Sequence, residues 1–153
     1  MNYKIIKYKN KAPIIEKDVF IADGVKLIGD VQIDEQTSVW YNSVIRGDVN
    51  FVKIGKKTNI QDGTIIHVSS YGFSAKGKKG FPTVIGNNVT IGHNATIHAC
   101  TIDDFSLIGM GSTILDNTKV NKYGFVAAGA LVAPGTIINK YEFFSLIPDK
   151  MLS

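Results

Sequence analysis

The stretch IEKDVFIADGVKLIGDVQIDEQTSVWYNSVI, residues 15–45, carries an aliphatic residue at every sixth place: Ile15, Ile21, Leu27, Ile33, Val39 and Ile45. Four residues after each stands a small or β-branched one: Val19, Val25, Val31, Thr37, Ser43 and Val49. An amphipathic helix repeats every 3.6 residues and a half-buried strand every 2, so a period of six fits neither. Outward from this stretch the rhythm resumes at Ile54, Ile60 and Ile66, and again at Ile85, Ile91 and Ile97. A last run goes from Ile102 through Ile108, Ile114, Val120, Val126 and Val132 to Ile138.

Such a period suits a triangular prism in which each side turns one aliphatic inward and each corner is made by small residues. Three sides make a coil of 18 residues, and coils stack as parallel strands about 4.8 Å apart. Glycine and asparagine in "IGNNVT" and "IGHNAT" suit the backbone conformations of the corners. The pattern resembles the left-handed parallel β-helix of hexapeptide-repeat proteins, and the handedness is taken from that resemblance. The expectation is an all-β chain with three strands per coil and no α-helix within 15–138. A single domain would span 1–153, with repeats over about 15–142. The period slips in three places: Phe51 to Lys53 add three residues, Gly72 to Val84 add thirteen, and the step from Ile97 to Ile102 is one short. Insertions in a solenoid leave as loops on one face and tend to border binding sites, so the long loop 72–84 marks where to look.

Composition narrows the function classes. The 153 residues are 44% hydrophobic with a formal charge of +4, so neither disorder nor a nucleic-acid stripe is indicated. The Lys-rich start "MNYKIIKYKNK" has no apolar run behind it and no stretch approaches spanning length, so no membrane partner is expected. One cysteine, Cys100, allows no internal disulfide, in keeping with a cytoplasmic location. Lys76, Lys78 and Lys79 in "AKGKKG" read as a solvated loop. The "RGD" at Arg46–Asp48 falls in strand register, and the glycines of "IGMGS" are explained as corners.

The three histidines of the chain fall into register. His67 follows Ile66 and His98 follows Ile97; they are 31 residues apart, and removing the thirteen-residue loop leaves 18, one coil. The two imidazoles should therefore stack on adjacent strands, close enough to lean toward one metal ion bound at about 2.0–2.1 Å. Arg46, 21 residues before His67, joins the same column once the three extra residues are removed. Asp62 and His93 are also 31 apart and form a second column on the adjacent face. His93 diverges around the prism edge and is badly placed to complete the site within one subunit. A second copy could supply it, and triangular prisms associate economically around a threefold axis. Cys100 lies two residues past His98, where strand alternation points it elsewhere. Trp40 reads as an outward, interface-type residue.

With the register established, "VIRGDV", "NIQDGTIIHV" and "IGHNATIHAC" resemble the signature segments of the gamma-class carbonic anhydrase family. The resemblance implies a homotrimer with zinc, or iron(II) or cobalt, between subunits. His67 and His98 would come from one chain and His93 from the next. The implied reaction is reversible hydration of CO2 to bicarbonate by a metal hydroxide, because three neutral imidazoles leave the ion's charge largely uncompensated. Gln61 matches the family's active-site glutamine, and Asn59 an asparagine lining the site. Arg46 and Asp62 match an Arg and Asp that pair at the subunit interface, and Asp48 belongs to the same cluster.

Two family glutamates are replaced, by Val49 and Ser70, which implies slow proton export and weak or absent hydration. The family's C-terminal ending, a turn followed by a long helix, is altered: "SLIPDKMLS" keeps Pro148 and Lys150 and then stops, so the helix is either absent from the protein or lies beyond these 153 residues. Ser145 and Ile147 are the nearest positions to the aromatic and asparagine that the family places there. Two alternatives stand beside this reading. One is acyl transfer or thioester hydrolysis on acyl-CoA, which needs a single histidine base; the other is a non-catalytic metal-binding trimer.

Overall fold

The structure is a computed structural model and describes residues 2–70 and 80–145. It is an all-strand, left-handed parallel β-helix of about 7 turns. The chain passes in turn over three faces. The first contains Ile65–His67, Thr96–His98, Thr113–Ile114 and Leu131–Val132. The second contains Thr83–Ile85, Thr101–Ile102, Lys119–Val120 and Ile137–Ile138. The third runs from Phe20–Ile21 through Asn59–Ile60 and Thr90–Ile91 to Phe143–Phe144. Pairing is parallel and in the expected register, Ile66 on Ile97 on Ile114 on Val132.

The six-residue aliphatics form the core. Leu27, Ile33, Ile45, Ile54, Ile60, Ile66, Ile91, Ile97, Ile102, Ile108 and Ile114 are all completely buried, which is the main source of stability in a prism too narrow for anything larger. The small residues before each aliphatic also point inward, and the hydroxyls among them staple one coil to the next. Thr37 donates to the Gly55 carbonyl at 2.7 Å, Ser43 to Gln61 at 3.0 Å and Thr58 to Gly86 at 2.8 Å. Buried backbone acceptors near the corners are satisfied in this way without widening the core.

Corners in the regular coils share one device, a left-handed residue three places after the aliphatic. From Ile102 onward it recurs at Phe105, Gly111, Asn117, Tyr123, Gly129, Gly135 and Tyr141. The repeat also runs one step beyond Ile138, because Phe144 takes the inward place and pairs with Val126. At the other end Lys4–Ile6, in the Lys-rich start, pairs with the strand Lys26–Ile33 and covers the first coil.

Two of the slips in period are placed differently from the sequence expectation. The three extra residues lie within 48–51, not at Phe51–Lys53, because Gly29 pairs with Gly47 and Val31 with Val52. Val52 therefore takes the inward place that the six-residue count gives to Val49; Val52 is 1% exposed and Val49 is 48% exposed. Likewise the long excursion ends before Thr83, since Thr83 is fully buried and already pairs with Val52. Residues 71–79 of that excursion, with Lys76, Lys78 and Lys79, lie outside the described residues, as do 146–153 with Pro148, Lys150 and Ile147. In both cases a core-sized side chain, not the count, fixes where the strand restarts. All three slips fall on one edge of the prism, between the first and second faces.

Candidate metal centre

His67 and His98 stand on that edge. They are Cα partners on adjacent strands, with ring centroids 5.2 Å apart. Nδ1 of His67 lies 3.2 Å from Nε2 of His98. The other nitrogen of each ring faces a carboxylate: His67 Nε2 is 2.9 Å from Asp48 Oδ1, and His98 Nδ1 is 2.5 Å from Asp116 Oδ1. With the imidazole N–H on the carboxylate side of each ring, the two facing nitrogens would be lone pairs directed at one another. Two nitrogens bound tetrahedrally to one ion at 2.0–2.1 Å lie about 3.3–3.4 Å apart, so the gap suits a shared cation. A carboxylate behind a ligand imidazole is the usual way of fixing its tautomer and orientation.

The irregular edge builds this arrangement. The short step after Ile97 forces Ala99 into the left-handed region at φ 51, and Ala99 stays fully buried. Its N–H donates to His67 O and to Thr83 Oγ1, both at 3.0 Å. The Thr83 hydroxyl in turn donates to His67 O at 2.5 Å, tying the restart of the chain to the strand that carries His67. Asn50 reaches across the mouth of the excursion, its amide donating to Ser69 O and Gly80 O. Gly80 has no room for a side chain, since a Cβ would stand 2.0 Å from Ser69 O. The neighbouring Cys100 is buried, which together with the Asp116 charge pushes its thiol up to about 12; it is an inert core group, as the strand alternation required.

Arg46 sits in the same column and forms an ion pair with Asp48 in its own chain. Burial pushes the Asp48 carboxyl upward, but the hydrogen bonds from His67 and Arg46 outweigh it and hold the group below 3.8. Burial also holds His67 below 6.5, against the pull of Asp48 and assisted by Arg46 and His98. A neutral imidazole beside an ionised carboxylate is the state a metal requires of its histidine.

His93 lies on the opposite edge of the first face, beside Asp62, with Nδ1 2.7 Å from Asp62 Oδ2. Gln61 and Asp62 occupy that same edge. Asn59 lies on the third face, where its side-chain oxygen accepts from Ser38 Oγ at 3.2 Å. Trp40 is half-exposed on the same side, 5.1 Å from the ring of Phe20. Among the described residues no set of three His, Cys, Asp or Glu side chains gathers tightly enough in one chain to hold an ion. His67 and His93 therefore stand on different edges of the prism, each beside its own carboxylate. Asp116 and Thr83 escaped the sequence reading. Asp116 had a signal, since it stands 18 residues after His98, one coil on.

Comparison with known proteins bears on the fold and the family. The bacterial transferase hexapeptide family (six repeats) matches residues 82–116. The chain is 49% identical over 117 residues to gamma carbonic anhydrase 2, mitochondrial, of Arabidopsis thaliana, covering 76% of this chain and 41% of that protein. It is 44% identical over 118 residues to a carbonic anhydrase of Geobacillus kaustophilus, covering 77% of this chain and 60% of that one. The chain therefore spans about half the length of these curated relatives. A solved hexapeptide transferase family protein from Anaplasma phagocytophilum superposes with a TM-score of 0.84 at 36% identity, over 97% of this chain and 82% of that one. Repeat, register and relatives converge, and the chain belongs to the gamma-class carbonic anhydrase family of hexapeptide-repeat proteins.

Proposed function

We propose that this chain is the subunit of a homotrimeric carbonic anhydrase-type metalloprotein that interconverts CO2 and bicarbonate. The observation that carries the reading is the 3.2 Å approach of two imidazole nitrogens whose outer nitrogens are each held by a carboxylate. His67 and His98 of one copy and His93 of the next would hold a zinc, iron(II) or cobalt ion. A bound divalent ion supplies the ionisation of water near neutral pH, from the usual 15.7 toward about 7.

The chain's own groups divide the remaining work. Asp48 and Asp62 take the outer N–H of His67 and His93, so that each ring presents a lone pair. Arg46 keeps Asp48 ionised, and in the trimer it would also face Asp62 of the neighbouring edge. Gln61, next to Asp62, offers an amide that can donate to one bicarbonate oxygen while accepting from another donor. Val49 and Ser70 are both exposed near the His67 edge and bring no acid, so proton export relies on solvent and turnover is slow.

The test is metal analysis of protein purified without oxygen, with sedimentation and stopped-flow CO2 hydration. The expected result is a trimer with about one ion per chain and measurable hydration. A metal-free protein that turns over acyl-CoA would overturn the reading.

A further inference from the structure

Asp116 occupies a repeat position that the regular coils mostly leave in solvent. Two places after the inward aliphatic, Met110, Lys122, Ala128, Pro134 and Lys140 are exposed and Asp104 is half-buried, whereas Asp116 is 7% exposed. Burying a carboxylate is costly unless a strong donor meets it. Facing it is Nδ1 of His98, 2.5 Å from Oδ1, on the coil 18 residues earlier. The shortened step at Ala99 sets the two strands in this relation, because Asn117 N–H donates to Ala99 O at 2.8 Å directly beside the pair.

We propose that Asp116 is a positioning residue that locks the His98 imidazole as its Nδ1–H tautomer and so aims the Nε2 lone pair at His67. In water the opposite tautomer of histidine is at least as available, and it would put a proton where a ligand lone pair is needed. A carboxylate behind the ring removes that competition, and second-shell partners of this kind typically account for 10- to 100-fold in metal affinity. The proposal rests on the reading of His98 as a ligand.

The experiment uses the whole protein. Nitrogen-15 NMR of the metal-free wild type should show His98 with its proton on Nδ1, and Asp116→Asn should move a large part of it to Nε2. Zinc affinity, by competition with a chelator, should fall about 10- to 100-fold in Asp116→Asn. The unfolding midpoint of the metal-free variant should stay close to that of the wild type, which a merely structural aspartate would not allow. A wild-type His98 carrying its proton on Nε2 overturns the proposal, as does a zinc affinity unchanged in Asp116→Asn. If Asp116→Asn fails to fold, the wild-type tautomer alone decides. A wild type with the Nδ1–H tautomer that binds no zinc supports the positioning role and refutes the metal reading instead.

Discussion

The prism behaves differently on the two sides of Ile102. Beyond it every side is six residues long and every corner carries one left-handed residue, through to Tyr141. Before it, the edge between the first and second faces breaks the rule at each coil. In the strand Lys26–Ile33 the left-handed residue, Gly29, comes one place early; the strand Val44–Ile54 takes in three extra residues, the next coil carries the long excursion, and the last is one residue short. His67, His98, Asp48 and Thr83 all belong to the broken edge, and Asp116 stands on the first regular corner beneath it. The regular coils hold the molecule together through a repeated core. The irregular edge shows what can be built when the core is secured elsewhere: backbone and side chains that no longer serve the repeat become available to hold two imidazoles at a fixed separation.

The comparison can be broken most severely at the histidines. His67→Ala and His93→Ala should each abolish metal binding while leaving the metal-free fold intact, read by metal analysis and circular dichroism. Mixed trimers of the two variants should regain part of the metal, because some interfaces then draw both good ligand sets from different copies. No recovery would sink the shared site.

Next in size is the core of the regular half. Ile138→Ala removes a fully buried side chain and should cost about 2–5 kcal/mol, seen as a lower urea midpoint. The affinity of the folded fraction for zinc should hardly change. An equal loss of affinity would mean that the two regions are not separable.

A smaller effect appears with pH. The folded protein holds His67 below its ordinary 6.5, so burial of the neutral ring stabilises above that value. This contribution is lost as pH falls from 6.5 through the lower folded value, since the unfolded chain takes up the proton first. Asp48, held below 3.8, contributes in the same sense at lower pH, losing its share as pH falls further. Urea midpoints of metal-free protein between pH 8 and 5 should decline, and the decline should flatten in His67→Gln. An unaltered slope in that variant would assign the acid sensitivity elsewhere.

The smallest effect probes the regular corners. Phe105, Tyr123 and Tyr141 are left-handed, which bulky residues adopt at a cost, yet their rings stack at 5.2 and 5.0 Å with Lys122 laid over the first two. Tyr123→Gly relieves the backbone but loses stacking worth about 0.5–1.5 kcal/mol, so its midpoint should move little. Tyr123→Ala keeps the strain, loses the stack, and should be the less stable of the two.

Much of the site was legible because a solenoid converts spacing into position. Ile66 and Ile97 must both face inward, so the residue after each must share a face, and subtracting one excursion placed His67 on His98. The same count failed at Val49, since counting assumes that extra residues leave at the point where the period slips. The chain kept its strand and moved the extra residues to 48–51, because Val52 fills the interior there. Asp116 was missed for a related reason: its repeat position is normally solvent, and nothing local marks it as buried.

Sequence alone determined the prism, its coil length and the pairing of the two histidines, since inward aliphatics at a fixed period leave the backbone one way to close. The tertiary structure alone decided which nitrogen of each ring faces the gap. It also showed an ion pair between Arg46 and Asp48 and a buried aspartate behind His98. Those choices depend on contacts between residues of different coils and on the direction of each side chain, and spacing along a chain carries neither.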